Sequence, residues 1–198
     1  MKKWLVLLIV FGLFPRAAHA HLVTTGFGGF YDGLAHFLIT PVDLLAVISL
    51  GLLAGLTGAA ASRGALVWLA PAWLIGGLVG MWAVSGGSWP LATTLSFGLV
   101  GLLVALDRRL PQQFVVVSAC LVGLLHGYVN GATMASANMD WLALTGATVA
   151  VFVLVTILSA VVVSLRVPWQ RIVVRVGGSW IAAIGILMVG WSLRAVWR

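Results

Sequence analysis

Glutamate is absent from this 198-residue chain, and aspartate occurs only at Asp32, Asp43, Asp107 and Asp140. A soluble hydrolase built on paired carboxylates, or a carboxylate-rich calcium site, has almost nothing to be made from. Charged residues of both signs make up 8% of the chain, against roughly a quarter in soluble domains. A single cysteine, Cys120, excludes an intrachain disulfide and a CxxC metal knuckle, and its apolar surroundings make it a helix-packing residue. No GxxxxGK[ST] loop is present, so the chain does not hydrolyse nucleotide itself. Ser49 and Ser118 lack a base and an orienting acid at usable spacing, which argues against an intramembrane enzyme.

What remains is apolar: 62% of residues are hydrophobic and the mean hydropathy is +1.16. These values predict a protein whose solvent is the lipid bilayer. The formal charge of +7 does not mark a nucleic-acid partner, because the basic residues fall singly or in pairs at the ends of apolar runs. They read as topology signals instead.

Residues 1–20 carry Lys2 and Lys3, an apolar stretch from Trp4 to Phe14, a breaker at Pro15, and Ala18-His19-Ala20. That pattern predicts a secretory signal cleaved after Ala20, with residues 21–198 as the mature domain. Eleven apolar residues are short for a bilayer that needs about 20. The mature chain keeps eight Lys/Arg against four Asp, hence a charge of +4, and starts at His21. The α-amine and imidazole of a terminal histidine can both bind one metal ion, so His21 is a candidate capture residue.

Apolar runs near 41–61, 65–84, 90–106, 114–130, 141–164 and 172–193 predict an all-α integral membrane bundle of six transmembrane helices. With the mature N-terminus outside, Arg63, Arg108, Arg109, Arg166, Arg171 and Arg175 lie inside, and only Arg194 and Arg198 outside. Six against two follows the positive-inside rule and places the protein in a bacterial inner membrane with a periplasmic N-terminus. Trp89 and Trp141 fall near span ends as interfacial anchors. Glycines four apart, Gly51/Gly55, Gly76/Gly80 and Gly123/Gly127/Gly131, predict faces along which helix backbones approach closely.

Ionisable groups within apolar runs are costly and therefore functional candidates. Three occur: His36, Asp43 and His126. Thr40 and Pro41 have the chemistry of a helix start, with Thr40 as N-cap and Pro41 at the first position. Asp43 then falls in the first turn, where a carboxylate is stabilised by free N–H groups even without a ligand. His36 is placed on a short preceding helix or re-entrant segment. His126 and Asn130, four apart, project from one helical face near the outer end of the fourth span. Neutral imidazoles with a carboxylate suit nickel, cobalt, zinc or copper, and Met134 and Met139 would shift the preference toward Cu(I). The bland alternative is that each histidine hydrogen-bonds a neighbouring helix.

These residues resemble the HupE/UreJ family of hydrogenase- and urease-associated membrane proteins, regarded as nickel or cobalt permeases. The likeness covers most of the mature chain. It rests on a first-helix motif at Gly33–Gly51, a fourth-helix motif at Gly123–Met134 and a glycine-containing last span at Gly177–Gly190. The family's first motif reads His-Pro-x-x-Gly-x-Asp-His followed by two leucines. Here His36 and Leu44-Leu45 match, while Phe37, Thr40, Val42 and Asp43 stand at the proline, glycine, aspartate and second histidine. The fourth-helix motif, similar to His-Gly-x-x-His-Gly-x-Glu, keeps His126, Gly127 and Gly131 but has Asn130 for the second histidine and Thr133 for the glutamate. An acidic residue frequent at the start of the family's third span is replaced by Leu91, Ala92, Thr93 and Thr94 after Pro90.

The resemblance implies a permease that takes up a transition-metal ion from the periplasm, with no permanently bound cofactor. Its cargo would be Ni2+, Co2+ or a copper ion, and His36, Asp43 and His126 its ligands. Asn130 would act as a weak oxygen ligand or a supporting residue. On the alternative reading the missing family ligands mean lost transport, and the chain is a non-transporting accessory or assembly subunit of a metalloenzyme or membrane complex, docked on a membrane-protein partner or another copy of itself.

Overall fold

In the computed structural model, residues 24–83, 89–108 and 110–194 are described. The expected signal segment and His21 lie outside them. The described residues form seven helices and no strand: α1 (Gly29–Ile39), α2 (Pro41–Thr57), α3 (Ala59–Trp82), α4 (Pro90–Leu106), α5 (Gln112–Ser136), α6 (Trp141–Val163) and α7 (Pro168–Arg194). A helix satisfies every backbone N–H and C=O internally, the condition for crossing hydrocarbon. Side chains reinforce this: Val67, Ile75, Leu99, Leu121, Ile157, Ile186 and Leu187 point outward, the pattern of a surface solvated by lipid. The chain is a multi-pass membrane protein.

Each of the six apolar runs is occupied by a helix, but four are long and apolar enough to cross a membrane alone: α3, α5, α6 and α7. A fifth crossing arises only if α1 and α2 count as one broken span, bent by 77°. Seventeen residues give α4 about 26 Å, short of the roughly 30 Å of hydrocarbon. Two breakers set that length, Pro90 at its start and a left-handed Asp107 (φ 47°) at its end. The first break also falls earlier than the hydropathy pattern predicts. Gly58 alone separates α2 from α3, at φ 120°, a conformation L side chains rarely adopt. Arg63 is consequently an exposed residue of the first turns of α3 rather than part of a loop.

Three close helix pairs build the bundle, and glycine sets each. Along α3 and α5 the packing is reciprocal. Gly76 and Gly80 lie against the Leu124 and Tyr128 carbonyls, while Gly123, Gly127 and Gly131 lie against those of Leu69, Trp73 and Gly77. A methyl group at any of these five positions would overlap backbone. In the second pair, Gly33 of α1 meets the Ala143 carbonyl of α6, and Gly146 meets that of Phe30. In the third, Gly98 and Gly101 of α4 face Gly185 and Ile181 of α7, with Gly178 against Val104. Helix α2 occupies the middle, touching α3 to α7, with Gly51 and Gly55 against Leu158 and Val162 of α6.

With little hydrophobic drive between helices in lipid, such contact supplies the attraction. Gly127→Ala is therefore expected to destabilise the protein by about 1–3 kcal/mol. Gly190→Ala, where nothing lies within 4 Å, should stay within about 0.5 kcal/mol of wild type. Thermal unfolding of both variants in detergent checks this, and equal melting would refute the packing assignment.

Candidate functional site

Four polar side chains from three helices meet at one end of the bundle. Asp43 comes from the first turn of α2, Ser96 from the second turn of α4, and His126 and Asn130 from the latter half of α5. Exposed tryptophans mark the same end: Trp82, Trp89, Trp141 and Trp191 sit where α3 and α7 finish and α4 and α6 start. Arg63, Arg171 and Arg175 lie on the opposite turns of their helices.

His126 is fully buried, and Asp43 and Asn130 are nearly so, at 4% and 2% exposure. One Asp43 oxygen, Oδ1, lies 2.8 Å from His126 Nδ1, and the other accepts from the Asn130 amide nitrogen. On the far side of the ring, Nε2 is 2.7 Å from Ser96 Oγ. A carboxylate only accepts, so Nδ1 carries the proton facing Asp43. In the neutral ring, Nε2 is then an acceptor, and the single Ser96 O–H can turn either to it or to the Thr93 carbonyl. The same logic orients Asn130: its NH2 must face Asp43, and its oxygen Oδ1 is left fully buried with no partner.

The pairing of α3 with α5 sets the wall of this site. Gly127 brings the α5 backbone onto Trp73, whose indole stacks on His126 with ring centroids 5.9 Å apart and planes 24° from parallel. Phe37 of α1 also meets Trp73, in an edge-to-face arrangement at 5.9 Å. Trp73 Nε1 is a second buried polar atom without a partner. Unpartnered buried groups cost about 1–3 kcal/mol each, and two beside one histidine call for an explanation.

Of the residues singled out from sequence, Asp43, His126 and Asn130 are in direct contact. His36 lies half-buried on α1, and its ring makes no hydrogen bond to the cluster. Among the described residues, no three His, Cys, Asp or Glu side chains form a group that could hold a metal ion. Met134 is fully buried in the core. Thr40 occupies the N-cap position of α2, as its chemistry predicts, yet its hydroxyl donates to the His36 carbonyl at 2.7 Å and does not cap α2. The Asp43 carboxylate is likewise spent on α5 rather than on its own helix. Sequence reasoning missed Ser96, because a serine in an apolar run usually returns its proton to its own backbone, as Ser96 also does to Thr93. It missed Trp73 because ten tryptophans gave no reason to choose one.

Comparison with known proteins gives two matches. The HupE / UreJ protein family matches over residues 8–188. Protein HupE of Rhizobium leguminosarum bv. viciae is 29% identical over 186 residues, 89% of this chain and 92% of that protein. No solved structure matches.

Removing the carboxylate would strand the His126 Nδ1–H and the Asn130 amide together. Asp43→Ala should therefore cost about 3–5 kcal/mol, and Asp43→Asn, which still accepts from one donor, distinctly less. Thermal unfolding distinguishes these outcomes. An Asp43→Ala protein melting with wild type would show that the buried pair contributes nothing to the fold.

Proposed function

The chain belongs to the HupE/UreJ family, and from that premise we propose that it is an inner-membrane permease taking up a transition-metal ion, Ni2+ or Co2+, from the periplasm. The family is associated with nickel/cobalt transport or with urease and hydrogenase maturation. The observation that carries the permease reading is the buried His126 oriented by Asp43, beside the unspent acceptor Asn130 Oδ1. A carboxylate on one imidazole nitrogen fixes the tautomer, raises ring basicity and leaves the other nitrogen for a metal. Asp43 thus acts first by orienting His126, a role the sequence motif did not distinguish from direct ligation. Asn130 contributes a neutral oxygen.

His36, half-buried on the bent α1 segment, stands as a residue on the approach, and His21 as a capture residue ahead of it. Copper is the weaker candidate as cargo, since the cluster is joined through imidazole, carboxylate, amide and hydroxyl groups, none of them soft. A site with few anionic ligands holds its ion weakly, which suits cargo that must leave again. Transport needs the site to open alternately to each side, and the 77° break between α1 and α2 is a place where that opening can be absorbed.

A specific observation also favours the second reading, a non-transporting accessory subunit: among the described residues no three His, Cys, Asp or Glu side chains gather, and Asn130 and Thr133 stand where the family motif has histidine and glutamate. Uptake of radioactive Ni2+ or Co2+ by cells expressing wild type, His36→Ala or His126→Ala decides between them. A permease predicts at least a ten-fold fall in accumulation for His126→Ala and a smaller fall for His36→Ala, with unchanged amounts of protein in the membrane. Undiminished uptake in His126→Ala overturns the permease reading, and co-purification of a membrane partner would then support the accessory role.

A further inference from the structure

Ser96 Oγ has one proton and two acceptors at the same distance, 2.7 Å to His126 Nε2 and 2.7 Å to the Thr93 carbonyl. Rotation about one side-chain bond moves that proton from the imidazole to the carbonyl, with no change in the backbone. After the rotation, two lone pairs, one on Oγ and one on Nε2, face the same space. They repel each other unless a positive centre, either a second ring proton on Nε2 or a metal ion, lies between them.

Resting on the permease reading, we infer that Ser96 Oγ and His126 Nε2 are adjacent ligands of the transported divalent ion, with the Thr93 carbonyl holding the serine proton while the ion is bound. The spacing fits. Two ligands at right angles, each about 2.0–2.1 Å from an ion, lie about 2.9 Å apart, close to the separation already present. Asp43 holds the ring in the tautomer this requires. Asn130 Oδ1, buried and unpartnered one turn further along α5, is an independent sign that the cluster has an unused acceptor. Ser96 is half-buried whereas His126 is fully buried, so the serine is the more accessible of the two proposed ligands.

The donor pair of one imidazole and one hydroxyl contains no soft ligand and favours nickel or cobalt over Cu(I). It also gives ion binding a structural consequence. Helices α4 and α5 touch little elsewhere, so the Ser96–His126 bond joins the α4/α7 pair to the α3/α5 pair. An ion replaces that bond with a coordination link between the same two helices.

The test is Co2+ titration of the full chain, purified in detergent without a polyhistidine tag, followed by calorimetry and absorbance. Ser96→Ala is expected to weaken Co2+ binding at least ten-fold, and Ser96→Thr to stay within about three-fold of wild type. Ser96→Cys should show a cobalt–thiolate charge-transfer band in the near ultraviolet that wild type, which retains Cys120, lacks. This variant also covers the case in which Ser96→Ala fails to fold. If His126→Ala loses Co2+ while Ser96→Ala binds normally and Ser96→Cys shows no band, the serine assignment is wrong and the permease site stands. Weakened binding in Ser96→Ala without a band in Ser96→Cys also overturns direct ligation, leaving Ser96 only to position His126. A wild-type protein that binds neither Co2+ nor Ni2+ overturns the permease reading and this inference together.

Discussion

A carboxylate buried in an apolar bundle must be met on both oxygens, and in this protein the Asp43 carboxylate is met by one helix. His126 and Asn130 are four apart on α5, so their side chains stack on a single face and reach the two oxygens together. That geometry ties the start of α2 to the far half of α5. It also determines which nitrogen of His126 is protonated, and so which one is available for chemistry. Taking two ionisable groups out of water costs several kcal/mol, so the arrangement is weak evidence for stability and stronger evidence for use.

The glycine contacts bring these groups to one place. Without side chains at Gly123, Gly127 and Gly131, α5 comes near enough to α3 for the Trp73 indole to cover His126. Phe37 then ties α1 to the same tryptophan. The residue standing where the family motif has proline is thus a packing residue here, and it links the short bent helix to the wall of the site. Close helix packing and site construction share one physical origin.

The α4/α7 pair stands differently. Helix α4 is short and α7 has few buried residues, with Ile186, Leu187 and Trp191 turned outward. At the end remote from the site, Arg171 binds Asp107 at 2.7 Å and Arg175 donates to the Ala105 carbonyl, fastening α7 to the end of α4. At the site end, Ser96 carries the polar link to α5. The polar links of this part of the bundle among the described residues lie near its two ends, and its long middle is held by apolar and glycine contacts.

The amino-acid sequence by itself determined the class of protein, the approximate positions of its helices, the glycine faces and three members of the polar cluster. Each of these follows from local rules: hydropathy over about 20 residues, the 3.6-residue period, and the cost of ionisable groups in hydrocarbon. One helix end was less legible: Gly58 takes a positive φ that hydropathy does not encode and ends α2 before its apolar run does, whereas the 90–106 run matches α4 to the residue. Only the tertiary structure decided which partners those residues chose. Asp43 had equally good reason to cap its own helix, Ser96 resembled any serine bonded to its own backbone, and Trp73 was one aromatic among many. Their roles depend on contacts between helices far apart in the chain, and a side chain's local chemistry does not specify which neighbour packing will bring to it.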